Sequence, residues 1–346
     1  MSVFISGASG YIALHIVDQL LSAGYPVVGT VRTQKQADSI TAEFAAKYPE
    51  AKLTFELVSD IRDPNAFDSA IKAHPEVEFV LHTASPFAYG LGEDMEHIYL
   101  TPAVNGTVGI LKAIKAYAPQ VRHVVVTSSF AAILDASKFT DPTYIHTEES
   151  WNPMEWEEAK KTEHTSYRLS KKTAEKAARD FVKNEKPNFT ISTVNPPFVM
   201  GPQLFESSVA AASLNTSAET VNQVLALKPD AKGPFTAPNG LSIDVRDVAR
   251  LHVLPLADPS KYADARLFPV TAPFCVQSVL DVLHDKFPGI ELPVGDPEVG
   301  KKFLQENIPK YDISKTLEIT GVSLIPFEKM IYDSAKQILD YRKQAK

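Results

Sequence analysis

Tyr167-Arg-Leu-Ser-Lys171 places a phenol and an ammonium four positions apart. On a helix, residues i and i+4 share a face. Tyrosine is a poor acid at its ordinary pKa of about 10, and ionising a tenth of it at pH 7 needs a shift of about two units, or about 2.7 kcal/mol. A lysine charge at about 4 Å supplies about 4 kcal/mol at an effective dielectric of 20, before screening. One neighbouring ammonium therefore brings Tyr167 into the range of a general acid. Taken alone, the pair reads first as a solvated helix face. Val124-Val-Val-Thr-Ser-Ser129 adds a strand of buried character that ends in three hydroxyl residues. Open α/β sheets bind ligands at the carboxyl ends of their strands. A hydroxyl there could hold a carbonyl oxygen; the plain alternative is a turn whose hydroxyls are satisfied locally.

A third feature precedes both. Gly7-Ala-Ser-Gly10-Tyr-Ile-Ala13 follows an apolar run and opens a helical pattern. Small residues between strand and helix let the backbone approach a pyrophosphate, and a helix N-terminus favours its charge. The spacing is GxxGxxA rather than GxGxxG, and its position between strand and helix is what gives it weight. An NAD site of this type usually has a carboxylate ending the second strand, for the ribose 2′-hydroxyl. Here Val28-Gly-Thr-Val31 is followed by Arg32, with Lys35 three residues on. The 2′-phosphate of NADP would meet attraction there, and Arg can grip a phosphate in bidentate fashion. The competing account of both cations is a solvated loop.

The elements that must hold these residues are legible as alternation. Strands are predicted at Ser2–Ser6, Val27–Val31, Leu53–Val58, Phe79–His82, Val121–Thr127 and Thr190–Val194, and helices at Tyr11–Ala23, Lys35–Lys47, Asn65–Ala73, Pro102–Tyr117 and His164–Asn184. Such alternation predicts an α/β fold, a Rossmann-type doubly wound parallel sheet with right-handed crossovers. After residue 195 the alternation breaks down. Helices are expected at Val209–Leu227, Val245–Leu256, Val276–Lys286 and Phe327–Tyr341, a strand at Arg266–Val270, and a surface loop at Pro288–Lys302. We expect residues 1–195, with about 240–270, to form the nucleotide-binding domain, and 196–239 with 271–346 a smaller, mostly helical substrate region.

Composition bounds the rest. A chain of 346 residues can bury about 75% of the surface it exposes when unfolded, so it needs no staple. Hydrophobic residues at 44% and charged residues at 22% exclude disorder as the main state. The net charge of −7 carries no basic footprint for nucleic acid. Cys275 is the one cysteine, so neither an intrachain disulfide nor a cysteine-rich metal site is expected. With no secretory pattern and no long apolar run, a cytoplasmic location without membrane association is the expectation.

In combination and in this order, the motifs closely resemble the extended short-chain dehydrogenase/reductase superfamily. Within it the chain is similar to fungal NADPH-dependent methylglyoxal and carbonyl reductases, relatives of plant dihydroflavonol reductases. Further carriers are His82-Thr-Ala-Ser-Pro-Phe87, Pro102-Ala-Val-Asn-Gly106, Glu148-Glu-Ser-Trp-Asn-Pro153 and Ile243-Asp-Val-Arg-Asp-Val-Ala249, and the resemblance spans nearly the whole chain. It implies hydride transfer from NADPH, pro-S by resemblance, to an aldehyde or ketone. Ser129 would orient the carbonyl, Tyr167 would protonate its oxygen, and Lys171 would bind the nicotinamide ribose. It implies cofactor contacts from Gly7, Ala8, Ser9, Gly10, Tyr11, Ile12, Arg32, Lys35, Asp60, Ile61, Ala84, Ser85, Pro196, Val199 and Ser217, with no metal. Asn105 and the pair Asp244 and Arg246 are expected to be structural. A homodimer through the helices at 102–117 and 163–184 is a further implication.

The chain also departs from the group. Gln36 stands where relatives carry a lysine, and Phe130 and Phe198 stand where tyrosines are frequent. A pocket of Phe87, Phe130, Leu134, His164 and Phe198 would favour hydrophobic or aromatic ketones over small polar dicarbonyls; ordinary core packing explains the phenylalanines equally well. Two rival functions remain at this stage. A sugar-nucleotide epimerase or dehydratase would want an acid after the serine, where Phe130-Ala-Ala132 stands, or an acid in place of Arg32. A non-catalytic NADP(H) sensor would be expected to lose Tyr167 or Lys171.

Overall fold

The computed structural model describes residues 1–85, 94–210, 214–215 and 217–344. Strand and helix alternate at first: β1 (Ser2–Ser6), α1 (Tyr11–Ser22), β2 (Val27–Val31), α2 (Gln34–Lys47), β3 (Leu53–Leu57), α3 (Asp68–Lys72), β4 (Val77–His82), α4 (Thr101–Tyr117) and β5 (His123–Thr127). Then come β6 (Ile145–His146), α5 (Trp156–Ala159), α6 (Glu163–Glu185), β7 (Thr190–Val194) and β8 (Phe198–Met200). Next are α7 (Glu206–Val209), α8 (Glu219–Val224), β9 (Asn239–Asp244), α9 (Val245–Val253) and β10 (Arg266–Leu267). The chain closes with β11 (Ala272–Cys275), α10 (Val276–Lys286), α11 (Pro297–Asn307), β12 (Lys310–Tyr311), α12 (Ser314–Thr320) and α13 (Phe327–Gln344).

Seven strands form one parallel sheet in the order β10-β7-β5-β4-β1-β2-β3. This is the expected doubly wound sheet, and strand order reverses between β1 and β4, which opens a crevice at their carboxyl ends. Successive side chains of a strand face opposite sides. Val3 and Ile5 accordingly join Ile16, Leu20, Phe44 and Leu251 in the core on one face, and Phe4 joins Ile71, Ile110, Ile114 and Phe181 in the core on the other. Burial on both faces explains why the strands are continuous apolar runs rather than alternating ones. A second sheet, β11-β9-β8, carries a separate core built with α8, α10 and α13. Among the described residues no helix is long and apolar enough to cross a membrane.

Differences from expectation cluster after residue 195. The helix expected at Val209–Leu227 is two short helices, α7 and α8. Before α8, Leu214 N–H donates to the Glu219 carboxylate at 2.8 Å, so the Glu219 side chain serves a backbone donor at the N-terminal side of that helix. The loop expected at Pro288–Lys302 contains the start of α11. Asp296 caps it by accepting from Glu298 and Val299 N–H, and Pro297 fills the first helical position. The strand expected at Arg266–Val270 pairs only over Arg266–Leu267. The second sheet, with its three- to six-residue strands, was not expected at all.

Three of the buried histidines, His82, His123 and His252, sit in or against the seven-stranded sheet. His82 pairs with Ser6 Oγ at 2.8 Å, His123 with Thr190 and Ser192 hydroxyls at 2.7 and 2.9 Å, and His252 with Thr127 Oγ1 at 2.7 Å. Burial pushes their pKa values down, to about 3 for His82, with help from the Lys171 charge, and to about 4 for His123 and His252. The folded protein keeps these rings neutral, whereas the unfolded chain takes up protons below about pH 6.5. Stability should therefore be lost as pH falls from about 6.5 towards 4, by up to about 1.4 kcal/mol per pH unit for each ring. Urea unfolding at pH 7, 6 and 5 measures this, and a flat stability across that range would contradict neutral burial.

Candidate active site

Immediately after β1 the backbone turns through Gly7 at φ +67°, a left-handed value. A Cβ there would lie 2.9 Å from Ala84 Cα, so only glycine lets this loop close on the end of β4. Helix α1 begins at Tyr11 without a side-chain cap and without an acid in its first turn, which leaves its positive end open to an anion. Gly7, Ser9 and Gly10 form the middle of a groove of about 550 Å³. Thr30, Val31, Arg32 and Gln36 line one end, Ser59, Asp60, Ile61 and Arg62 a side wall, and Thr83, Ala84 and Ser85 the other end. Asp60 is the only acidic residue lining it among the described residues, and Arg62 grips both its oxygens at 2.6–2.9 Å. That side-chain bond holds the Asp60 carboxyl below the usual range. Arg32 is exposed at the end of β2, makes no ion pair among the described residues although its charge reaches Asp60, and its backbone N–H donates to Gln36 Oε1 at 3.2 Å. Gly7, the uncapped helix and Arg32 fit a dinucleotide with an additional phosphate.

Beyond β5 lies a second cavity of about 370 Å³, lined by Ser129, Phe130, Leu134, Phe139, His164, Tyr167, Arg168, Phe198, Ser217 and Leu241, among others. Ser129 caps the short turn Phe130–Ala132, with its Oγ accepting from Ala131 N–H at 3.1 Å. Its own hydroxyl hydrogen is thereby left for another acceptor. Tyr167 and Lys171 stand on α6, which starts with a capping box between Thr162 and Thr165. Lys171 is buried; its Nζ donates to Ser85 Oγ at 2.9 Å and lies 5.7 Å from the centre of the Tyr167 ring. Burial lowers its pKa to about 8. Ser85 belongs to the groove and Tyr167 to the cavity, so the Lys171 side chain marks where the two meet.

The apolar wall of the cavity is also core. Phe130 stacks on Phe268 at 5.0 Å, and Phe198 meets Phe274 edge-on at 5.2 Å. Gly240, at φ +152°, would place a Cβ 3.1 Å from the Phe198 ring, so its lack of a side chain makes room for that phenyl.

Behind Ser129 sits a buried ion cluster that sequence reasoning missed. Glu175, one turn after Lys171 on α6, accepts from Ser128 Oγ at 2.5 Å, Asn195 Nδ2 at 2.6 Å and Arg266 Nε at 2.7 Å. Arg179 adds a contact at 3.3 Å. Asn195 also donates to Ser129 C=O at 3.3 Å, and Arg266 lies over the Trp151 ring at 3.8 Å while donating to Glu148 and Ala132 C=O. Burial alone would raise the Glu175 pKa, but the two guanidinium groups outweigh it and hold the carboxyl below its usual range.

Of the residues expected to hold cofactor, Gly7, Ser9, Gly10, Arg32, Asp60, Ile61, Ala84 and Ser85 line the groove. Ala8 is buried beneath it, Tyr11 donates to Gly201 C=O at 2.8 Å, and Ile12 packs into the core. Lys35 is exposed outside the lining, and Gln36 stands inside it. Pro196 and Val199 are buried, and Ser217 lines the second cavity rather than the groove. Leu134, His164, Phe130 and Phe198 line that cavity as expected, and Phe87 lies outside the described residues. Asn105 donates to Arg62 C=O at 3.1 Å, and Asp244 caps α9 while pairing with Arg246 at 2.7 Å. The expectations did not include Phe139, Arg168 and Leu241, although Arg168 follows Tyr167 directly.

A model of the NAD dependent epimerase/dehydratase family matches residues 3–268. The chain is 46% identical over 341 residues to a putative NADPH-dependent methylglyoxal reductase of Candida albicans, covering 98% of each chain. It is 40% identical over 347 residues to the NADPH-dependent methylglyoxal reductase of Saccharomyces cerevisiae, covering 99% of each. The crystal structure of the yeast methylglyoxal/isovaleraldehyde reductase complexed with NADPH superposes with a TM-score of 0.92 at 39% identity, over 99% of this chain and 100% of that one.

Removing one partner of a buried ion pair leaves the other charge uncompensated, at a cost of about 3–5 kcal/mol. Glu175→Gln should therefore lower the unfolding free energy by about that amount at pH 7, read from urea denaturation. A loss below about 1 kcal/mol would mean that the cluster is not the brace its contacts describe.

Proposed function

The chain belongs to the NAD dependent epimerase/dehydratase family, and on that premise we propose that it reduces aldehyde and ketone carbonyls with NADPH. The observation that carries this reading is the bond from Lys171 to Ser85, which ties the phosphate-binding groove to the cavity holding Ser129 and Tyr167. Gly7 to Gly10 and the start of α1 would hold the pyrophosphate, and Arg32 the 2′-phosphate. When bound, NADPH supplies the two electrons of the reduction as a hydride to the carbonyl carbon. The carbonyl π pair then resides on oxygen, where the residues of the chain act.

Ser129 donates its hydroxyl hydrogen to that oxygen and fixes its position, since Ala131 N–H already occupies one Ser129 lone pair. Tyr167 donates a second hydrogen bond and transfers its proton, giving the alcohol. Lys171 is mostly protonated near pH 7, with a pKa of about 8, and its charge beside the ring favours the phenolate left behind. The apolar wall of Phe130, Leu134, Phe139, Phe198 and Leu241 suits substrates with an alkyl or aryl body. Methylglyoxal reduction, the activity named for the fungal relatives, is the reference reaction for this chain.

Two expectations follow. Tyr167→Phe should lower kcat by about 10²- to 10⁴-fold, the usual span for a general acid, while NADPH binding followed by fluorescence persists; retained turnover would remove Tyr167 from the acid role. Arg32→Ala should weaken NADPH far more than NADH, with the ratio of their kcat/KM values falling about tenfold or more, as for loss of a charged hydrogen bond. An unchanged ratio in NADPH and NADH oxidation at 340 nm would place the 2′-phosphate elsewhere.

A further inference from the structure

Arg168 stands next to Tyr167 on α6 and lines the same cavity. It is half-buried, yet it has no hydrogen bond or ion pair among the described residues. The other half-buried or buried arginines all have partners: Arg179, Arg246 and Arg266 each hold a carboxylate at 3.3 Å or less, and Arg342 donates to Leu225 C=O and Asn222 Oδ1. No aspartate or glutamate lines the cavity among the described residues. A guanidinium cannot shed its charge, and partial burial without a partner is costly for it. Among the described residues the cavity thus joins a largely apolar wall to a permanently charged fork that no carboxylate compensates.

We propose that Arg168 selects carbonyl substrates that carry a carboxylate, so that the cavity takes oxo acids with an apolar body. This deepens the reductase reading and rests on it. One cation matches a monoanion, and the planar guanidinium presents paired N–H donors to the two oxygens of a carboxylate. A phosphate dianion would leave an unmatched charge against phenyl walls. Position on the helix sets the spacing. Consecutive helical residues point about 100° apart, so Tyr167 and Arg168 reach the cavity from different sides. A carboxylate set apart from the reacting carbonyl by intervening carbons lets the two groups meet Arg168 and Tyr167 separately. The aromatic and aliphatic side chains Phe130, Phe139, Phe198 and Leu241 accommodate the remainder. The chemistry is unchanged: the carbonyl becomes a secondary alcohol, the product is a hydroxy acid, NADPH becomes NADP⁺ and Tyr167 gives up the proton.

The test compares 4-oxo-4-phenylbutanoate with its methyl ester, following NADPH oxidation at 340 nm, with methylglyoxal as reference. For the natural chain, kcat/KM for the acid should exceed that for the ester. In Arg168→Gln the acid-to-ester ratio should fall tenfold or more, mainly through KM for the acid, and Arg168→Lys should recover part of it. A ratio unchanged by Arg168→Gln overturns the proposal. So does turnover of the ester or methylglyoxal without turnover of the acid. No NADPH oxidation with any of the three overturns the reductase reading itself. An inhibition measurement on the natural chain needs no variant: 4-phenylbutanoate should compete with ester reduction at least tenfold more strongly than 4-phenylbutanamide, and equal inhibition overturns the proposal.

Discussion

A carboxylate sealed inside the protein governs the geometry of the candidate active site. Glu175 is buried at the meeting point of α6, the ends of β5 and β7, and β10, and it takes a hydrogen bond or ion pair from each. An isolated carboxylate in such a place would be protonated or would unfold its surroundings. It stays ionised because Arg266 and Arg179 face it. Arg266 in turn is fixed by backbone carbonyls of the segment after Ser129 and by the Trp151 ring. Each group compensates a neighbour, so none can be displaced alone. Ser128 and Asn195, which flank Ser129 in sequence and in space, inherit that rigidity. A buried pair of this kind is weak evidence for added stability; what it contributes is a single arrangement of three strand ends.

Lys171 lies one helical turn before Glu175 and experiences the opposite treatment. Its ammonium is buried beside hydroxyls rather than a carboxylate, so its pKa drops to about 8 where that of Glu175 is held down by cations. The helix thus presents, at successive turns, a phenol, a weakened cation and a locked anion. The first two face the site, and the third is tied into the strands that carry Ser129. Proton chemistry and mechanical support share one element, which explains why α6 is long, begins with a full capping box and packs extensively against α4.

The groove was legible because its determinants are local. A strand, a small-residue loop and a helix within the first 22 residues need no knowledge of distant contacts, and Arg32 follows directly from the end of β2. Tyr167 and Lys171 were legible for the same reason, through i,i+4 spacing. Glu175 and Arg266 were not, because 91 positions separate them and either alone reads as a surface charge. The second sheet escaped notice since its strands are short and interrupted by glycine and proline, so no alternation builds up. The onset of α11 was missed for a different reason. Asp296-Pro297 is a good helix-start signal, but the surrounding Pro and Gly content suggested a loop. Arg168 was visible inside the motif and was passed over, because nothing in sequence says that a helix face bordering a tyrosine opens onto a cavity.

Phe130 and Phe198 bear on how such a site can change. The sequence left two accounts open, pocket lining and ordinary core, and the structure satisfies both with the same rings. Each ring lines the cavity and is also packed, Phe130 stacked on Phe268 and Phe198 edge-on against Phe274. A hydroxyl added to either ring must therefore find an acceptor on the cavity side or be buried unpaired, at a cost of about 1–3 kcal/mol. A larger side chain at Gly240 would collide with Phe198. The apolar wall is consequently tied to the stability of the second sheet and its core. Arg168 is under no such constraint, because its side chain makes no polar contact within the described structure. A change at position 168 on the helix therefore disturbs less of the packing than a change in the phenyl wall.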